Sequence, residues 1–246
     1  MNKKLLTAAI GAALAAGPML AQADVKLFGK VHMSVDLFNP GDKGNSGTVA
    51  TKSTHVSSNA SRWGLDISEK LGGGMTAIAK LEQDLAADGD NSSQNTRNRY
   101  VGMKGKFGQL IAGTMDTPFK EVSRTLELFP EYIGDSRNIV STGASGGLGW
   151  DLRPANILRY DSPSLNGFVL NYLYSADTTA VTGTEDNRRR ADSMGVKYSK
   201  GPLYAAFAYE THRLATVADS GNPTEKGYRL GGSYNFGAFK AVAMYQ

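Results

Sequence analysis

Apolar and polar residues alternate at period two through most of this chain. In "SRWGLDISEKL", Trp63, Leu65, Ile67 and Leu71 fall on one face and Arg62, Gly64, Asp66, Ser68 and Lys70 on the other. "NGFVLNYLYS" sets Phe168, Leu170, Tyr172 and Tyr174 against Val169, Asn171 and Ser175, and "KGYRLGGSYNF" sets Tyr228, Leu230, Tyr234 and Phe236 against Arg229, Ser233 and Asn235. Such alternation predicts β-strands with one apolar and one polar face. About eleven segments follow it, with starts near Val25, Ser61, Met75, Arg97, Gly108, Asn156, Gly167, Ala191, Leu203, Lys226 and Ala238. Each approaches the ~10 residues that a tilted membrane-crossing strand requires.

The predicted connections are of two kinds that alternate along the chain. Tight ones are "LGGG" (71–74), "GKFG" (105–108), "SPSLNG" (162–167), "SKGP" (199–202) and "NFGA" (235–238). Long polar ones cover 39–60, 86–96, 117–155, 177–190 and 214–225. Short turns at one end and long loops at the other are the signature of an antiparallel barrel threaded into an outer membrane. A soluble sandwich has no reason to sort its loops this way. Aromatic residues near strand ends, Tyr160, Tyr174, Tyr198, Tyr209, Phe236 and Tyr245, fit girdles at the two membrane interfaces. The polar faces, rich in lysine, arginine and aspartate, then line a wet interior.

The N-terminus adds the route to that membrane. "MNKKLLTAAIGAALAAGPMLAQA", residues 1–23, reads as a secretory signal peptide: a basic start, an apolar stretch and a small-x-small cleavage site. The barrel domain is then 24–246. Loss of the leader removes Lys3 and Lys4, leaving 25 basic against 23 acidic residues. Interspersed charge so close to balance gives no basic stripe for nucleic acid. The chain has no cysteine, which excludes disulfides and Cys-ligated metal. "AADGDNSS" suggests a calcium loop in Asp88, Asp90 and Asn91, but it lacks the distal glutamate of that motif. No metal and no cofactor are therefore expected. Eleven strands is an odd number where single-chain bacterial barrels use an even one, and the sequence stops in mid-strand at "AMYQ". The expectation is a C-terminally incomplete chain.

The alternation lapses longest around "LELFPEYIGDSRN", residues 126–138, which carries three acids. Here the sequence resembles the general trimeric porins of Gram-negative bacteria, particularly the betaproteobacterial ones. The resemblance runs through "VKLFGKVHMSVDLF", "SRWGL", "LGGGMTAIAKLEQ", "NRYVGMKGKFGQLIAGTMD", "RYDSPSLNGFVLNYLY" and "LGGSYNFGAFK". It implies a 16-stranded barrel, a homotrimer in contact with outer-membrane lipid and lipopolysaccharide, and a third external loop, about 117–155 here, folded into the lumen as a constriction. "FPEYIGD" is similar to the family's Pro-Glu-Phe-Gly-Gly-Asp phrase, with Pro130, Glu131, Gly134 and Asp135 on its positions and Tyr132 and Ile133 departing from it. Glu127 falls where the family often has a further acid. The resemblance implies Glu127, Glu131 and Asp135 as constriction acids facing basic residues on the wall. Lys30, Arg62 and Arg97 match the wall positions and are inward by alternation. Arg99 is expected on the face of Arg97, Arg153 matches an arginine of anion-preferring members, and Arg159 is inward by parity.

Acids on an inserted loop facing bases on the wall set up a transverse field across a narrow aqueous opening. Such charge rings sort solutes without a binding site. The expected function is passive diffusion of small hydrophilic solutes and ions, with modest anion preference from the surplus of bases. Two other classes compete. An outer-membrane enzyme needs a nucleophile with a base in reach, and no nucleophile motif accompanies His32, His55 or His212. A structural or adhesin barrel acting through its loops has no use for an acidic loop folded inward.

Overall fold

The protein was analysed as a computed structural model, which describes residues 23–38, 53–89, 96–132, 134–141, 149–176, 190–213 and 224–246. The predicted signal peptide falls outside these residues apart from Ala23, and so do most of the long loops and Ile133.

Eleven antiparallel strands form one continuous sheet in chain order: β1 (Asp24–Lys30), β4 (Arg62–Gly72), β5 (Met75–Asp84), β6 (Thr96–Gly105), β7 (Gly108–Thr114), β8 (Ile157–Asp161), β9 (Phe168–Ser175), β10 (Arg190–Lys200), β11 (Leu203–Arg213), β12 (Thr224–Asn235) and β13 (Lys240–Tyr245). Every start lies within two residues of its predicted place. Strands β1 and β13 are the two edges, so the sheet is not closed. The expected loop 39–60 contains more structure than its sequence announced. Strand β2 (Met33–Phe38) pairs with β3 (Ser53–Ser58) in a separate two-stranded sheet. Strand β2 is the end of the predicted first strand, which the structure breaks at Val31 and His32, whereas β3, short and mostly polar, lies inside the expected loop and did not register as a strand.

The sheet is apolar outside and polar inside. Leu27, Val101, Leu158, Leu170 and Leu230 are exposed, whereas Arg159, Arg229, Glu210 and Asn171, on the opposite face, are buried. This inverts the arrangement of a water-soluble domain and suits a wall with lipid outside and water within. Aromatic side chains gather at the tight-turn end: Tyr160 donates its hydroxyl to the Phe107 carbonyl, Phe168 packs on Tyr198, and Phe236 stacks on Phe239.

The turns follow from glycine. Gly72, Gly73 and Gly74, at φ of 82°, 60° and 78°, close the β4–β5 hairpin in conformations that side chains disfavour. Gly64 serves a different end, because a Cβ there would lie 2.3 Å from the Leu81 carbonyl and 2.5 Å from the Phe28 ring. Gly64→Val is therefore expected to lower the yield of refolded protein in detergent, read as loss of the heat-modifiable band on electrophoresis.

Segment 117–155 was expected to be irregular, yet it carries a helix, α1 (Pro118–Leu126), and a single turn, α2 (Arg137–Val140). Helix α1 starts where Thr117 caps it, accepting from the Lys120 N–H, and where Pro118 presets the first turn. Phe119, Val122 and Leu126 recur at helical spacing and lie buried against the inner face of β10–β13. The wall makes room with small residues. Ala206 and Ala208 lie beneath the helix, and a Cβ on Gly231 would stand 2.3 Å from Leu126. A β-sheet interior thus accepts a helix because its inward positions there lack bulk.

Candidate functional site

The loop leaves α1 and turns back at Glu127–Asp135, which carries Glu131 to the opposite wall. Lys30 donates to Glu131 Oε2 at 2.6 Å and Arg62 to Oε1 at 2.7 Å. Lys30 and Arg62 are register partners on β1 and β4, so one hydrogen-bonded pair of strands presents both cations to one carboxylate. Arg124, in the last turn of α1, lies 3.4 Å from Oε1. Sequence reading missed Arg124 because a cation at a helix C-terminus has an ordinary explanation in the helix dipole.

Burial alone would push the Glu131 carboxyl up. The hydrogen bonds and charges of Lys30 and Arg62 overcome it and hold the group at about 2. Its backbone is held as firmly. Glu131 has φ of 69°, a left-handed conformation costing about 1–3 kcal/mol outside glycine. Asp135 Oδ2 accepts the Glu131 N–H at 2.8 Å and so fixes that conformation.

The other two predicted acids do different work from the one expected. Asp135 is buried, and its charged partner is Arg137 of the same loop rather than a wall base. Burial raises the Asp135 carboxyl, but Arg137 and the N–H groups of Glu131 and Arg137 bring it below the usual carboxylate range. Glu127 accepts from the backbone N–H groups of Phe129 and Ser136, both at 2.9 Å, closing the turn on itself. Only Glu131 of the three meets the wall bases.

Among the wall bases the structure corrects one pairing. Arg97 and Arg99 were expected on one face, but the β5–β6 register shifts between Leu81 and Gln83. Two residues of β6, Arg97 and Asn98, oppose the single Glu82, as in a β-bulge. Arg97 therefore turns inward, donating to Glu82 at 2.9 Å and Asp84 at 2.9 Å, while Arg99 stays on the outer face and bonds Gln83. Glu82 also lies 3.1 Å from Arg62, joining Arg97 to the Glu131 cluster. The cluster holds Lys30, Arg62, Arg97 and Arg124 against Glu131, Glu82 and Asp84. Cations exceed carboxylates by one.

Arg153 and Arg159 stand at the root of the loop. Arg153 reaches Asp116 at 2.9 Å and the Asn98 side chain at 3.0 Å. Arg159, buried on β8, grips Glu121 of α1 at 2.6 Å and Asp161 at 2.8 Å. Lys120 spans Asp116 at 3.1 Å and Asp151 at 3.4 Å, tying the outgoing limb to the returning one. Burial raises the Asp116 carboxyl, and Lys120 and Arg153 outweigh it to leave the group lowered. These ion pairs fasten the loop, and their cations are already engaged. No group of side chains able to hold a metal ion occurs among the described residues.

Residues 6–246 match the family profile described as Gram-negative porin. The chain is 31% identical over 250 residues to outer membrane porin protein 32 of Delftia acidovorans, covering 100% of this chain and 69% of that protein. It is 28% identical to the major outer membrane protein P.IB of Neisseria lactamica, over 96% of this chain and 69% of the relative. Among solved structures, the anion-selective porin from Comamonas acidovorans superposes with a TM-score of 0.76 at 27% identity, over 91% of this chain and 67% of that one. Salmonella typhi OmpF shares the fold, with a TM-score of 0.66 at 12% identity over 91% of this chain and 65% of its own.

Proposed function

The chain belongs to the Gram-negative porin family, and on that premise we propose that its channel narrows between Glu131 and the wall cations Lys30 and Arg62 and favours anions there. It is an outer-membrane channel for small solutes, not an enzyme. The observation that carries the finer reading is the bridge from Glu131 to Lys30 and Arg62, in which the loop and the wall meet through opposite charges. An ion threading past it encounters four cations and three carboxylates. That surplus favours anions, and the Comamonas acidovorans relative is described as anion-selective.

In this reading the barrel domain is 24–246 and segment 117–155 is its constriction loop. Arg97 contributes charge, Arg153 and Arg159 hold the loop's root, and Asp135 and Glu127 hold its tip. Arg99, facing outward, has no part in the opening. Family membership also supports a homotrimer, surrounded by outer-membrane lipid and lipopolysaccharide.

Reversal potentials in planar bilayers under a potassium chloride gradient test the sign. Anion preference is expected, weakening as salt rises from ~0.1 M to ~1 M and the screening length falls from about 10 Å to about 3 Å. Cation preference at low salt would overturn it.

A further inference from the structure

We propose that His32 is a specificity-determining residue of the constriction, its protonation raising the preference for anions as pH falls. His32 occupies the two-residue break between β1 and β2, where its backbone is fixed three times. Its N–H donates to Ser61 Oγ at 2.9 Å, and its carbonyl accepts from the Asn59 N–H at 2.8 Å and from Ser61 Oγ at 3.0 Å. The break aims the ring at the tip of the loop. Tyr132 meets the imidazole edge-on with ring centres 4.5 Å apart, and Nδ1 lies 3.9 Å from Glu131 Oε2.

Both ring nitrogens are shielded from water, and neither has a hydrogen-bond partner. A neutral imidazole in that position wastes one donor and one acceptor, which buried polar groups rarely do. Charging the ring makes both nitrogens donors, so that Nδ1 carries an N–H toward the carboxylate whichever tautomer preceded it. The groups that face the ring are Lys30 from β1, Arg62 and Ser61 from the β4 side, and Glu131 and Tyr132 from the loop, with Arg124 behind Glu131. Lys30 and Arg62 carry the charge an imidazolium would, and Glu131 carries the opposite one. The Glu131 carboxylate has lone pairs for both Lys30 and an imidazolium, so a proton on His32 need not break the existing bridge. It adds one cation to a cluster whose surplus is one.

Histidine is the side chain suited to do this between about pH 5 and 8. Glu131, held at about 2, keeps its charge throughout that range. The chain has two other histidines. His55 is exposed on β3 and bonds Ser53, and His212 is buried on β11 against Trp150 and Glu210.

The inference rests on the anion-favouring opening proposed above, and the experiment separates the two. Reversal potentials of the intact protein are measured at pH 8 and pH 5 in one salt gradient, for the wild type, His32→Gln, His32→Arg and His55→Gln. The wild-type chloride-over-potassium permeability ratio is expected to rise about threefold or more on acidification, since one positive charge is added at the opening. His32→Gln should abolish the change, His32→Arg should hold the higher ratio at both pH values, and His55→Gln should follow the wild type. A structural role alone would shift conductance in both His32 variants without removing the pH dependence in the one and fixing the high ratio in the other. An unaltered pH response in His32→Gln, or none in the wild type, overturns the role of His32. Cation preference at pH 8 would instead overturn the anion-favouring opening.

Discussion

Glu131→Gln is expected to raise the chloride-over-potassium permeability ratio about three- to tenfold. The magnitude follows from the energy of one charge. Two unit charges 4 Å apart interact by about 1 kcal/mol in water and about 4 kcal/mol at the effective dielectric of a protein surface. A permeating ion is hydrated, so the lower figure governs, and about 1.4 kcal/mol is a factor of ten. Glutamine keeps the shape of the side chain and an acceptor oxygen for Lys30 or Arg62, so the change reports charge and not collapse of the loop. Acid provides an independent check on the wild type. Because the folded carboxyl is depressed to about 2, its charge and the bridge it anchors are fully present above the ordinary carboxylate range and are lost only as pH falls through about 2. Wild type and variant should therefore differ at pH 4, with the gap about halved near pH 2 and closing only below it. Equal permeability ratios at pH 4 would mean that ions do not pass within reach of Glu131.

Most of the wall was legible because its signal is local. Each strand declares itself by alternation over ten residues, and each tight turn by its glycines, so eleven strands fell within two residues of their predicted starts. Lys30, Arg62 and Glu131 were legible by face and by resemblance, and they meet. What escaped depends on partners distant in sequence. The inward turn of Arg97 comes from a bulge opposite Glu82, a mismatch between two strands that neither strand shows alone. The helix at 118–126 is short and rich in charge, and its apolar side makes sense only against Ala206, Ala208 and Gly231 some hundred residues later. Asp135 and Glu127 resemble wall-facing acids in composition, yet their oxygens are taken by backbone N–H groups a few residues away. Acid count alone cannot distinguish a charge that faces the pore from one that builds the turn presenting it.

Loss of the loop's dock should enlarge the channel, and Arg229 is where that dock is concentrated. Arg229 is fully buried on β12, and no carboxylate among the described residues forms an ion pair with it. Its hydrogen bonds go to the Gln246 side chain and to the loop. It donates to the Phe119 carbonyl at 2.9 Å, Ser123 Oγ at 3.0 Å and the Val140 carbonyl at 3.1 Å, and lies 4.1 Å over the Phe119 ring. One side chain thereby holds both α1 and α2. Arg229→Met keeps the apolar volume and removes the charged donor to the Phe119 carbonyl, Ser123 Oγ and the Val140 carbonyl, each hydrogen bond to a charged group contributing about 1.5–3 kcal/mol. Removal of a buried cation offsets part of this, but the carbonyls recover water only if the loop lifts from the wall. Gly227→Val attacks the same dock from the opposite limb. A Cβ there falls 2.7–2.9 Å from three atoms of the Trp150 ring, which is stacked on His212 with centres 4.4 Å apart, so the ring must leave its place against the wall. Both variants are expected to raise single-channel conductance by about half or more and to admit larger sugars in liposome swelling, since a displaced loop no longer narrows the lumen. Gly237→Ala, at a tight turn where a Cβ meets nothing within 4 Å, is the control for general destabilisation of the wall, because its cost is backbone strain at φ of 92° far from the dock. Wild-type conductance and size limit in both dock variants would show that the small-residue face of β10–β13 and its arginine do not set the width of the opening.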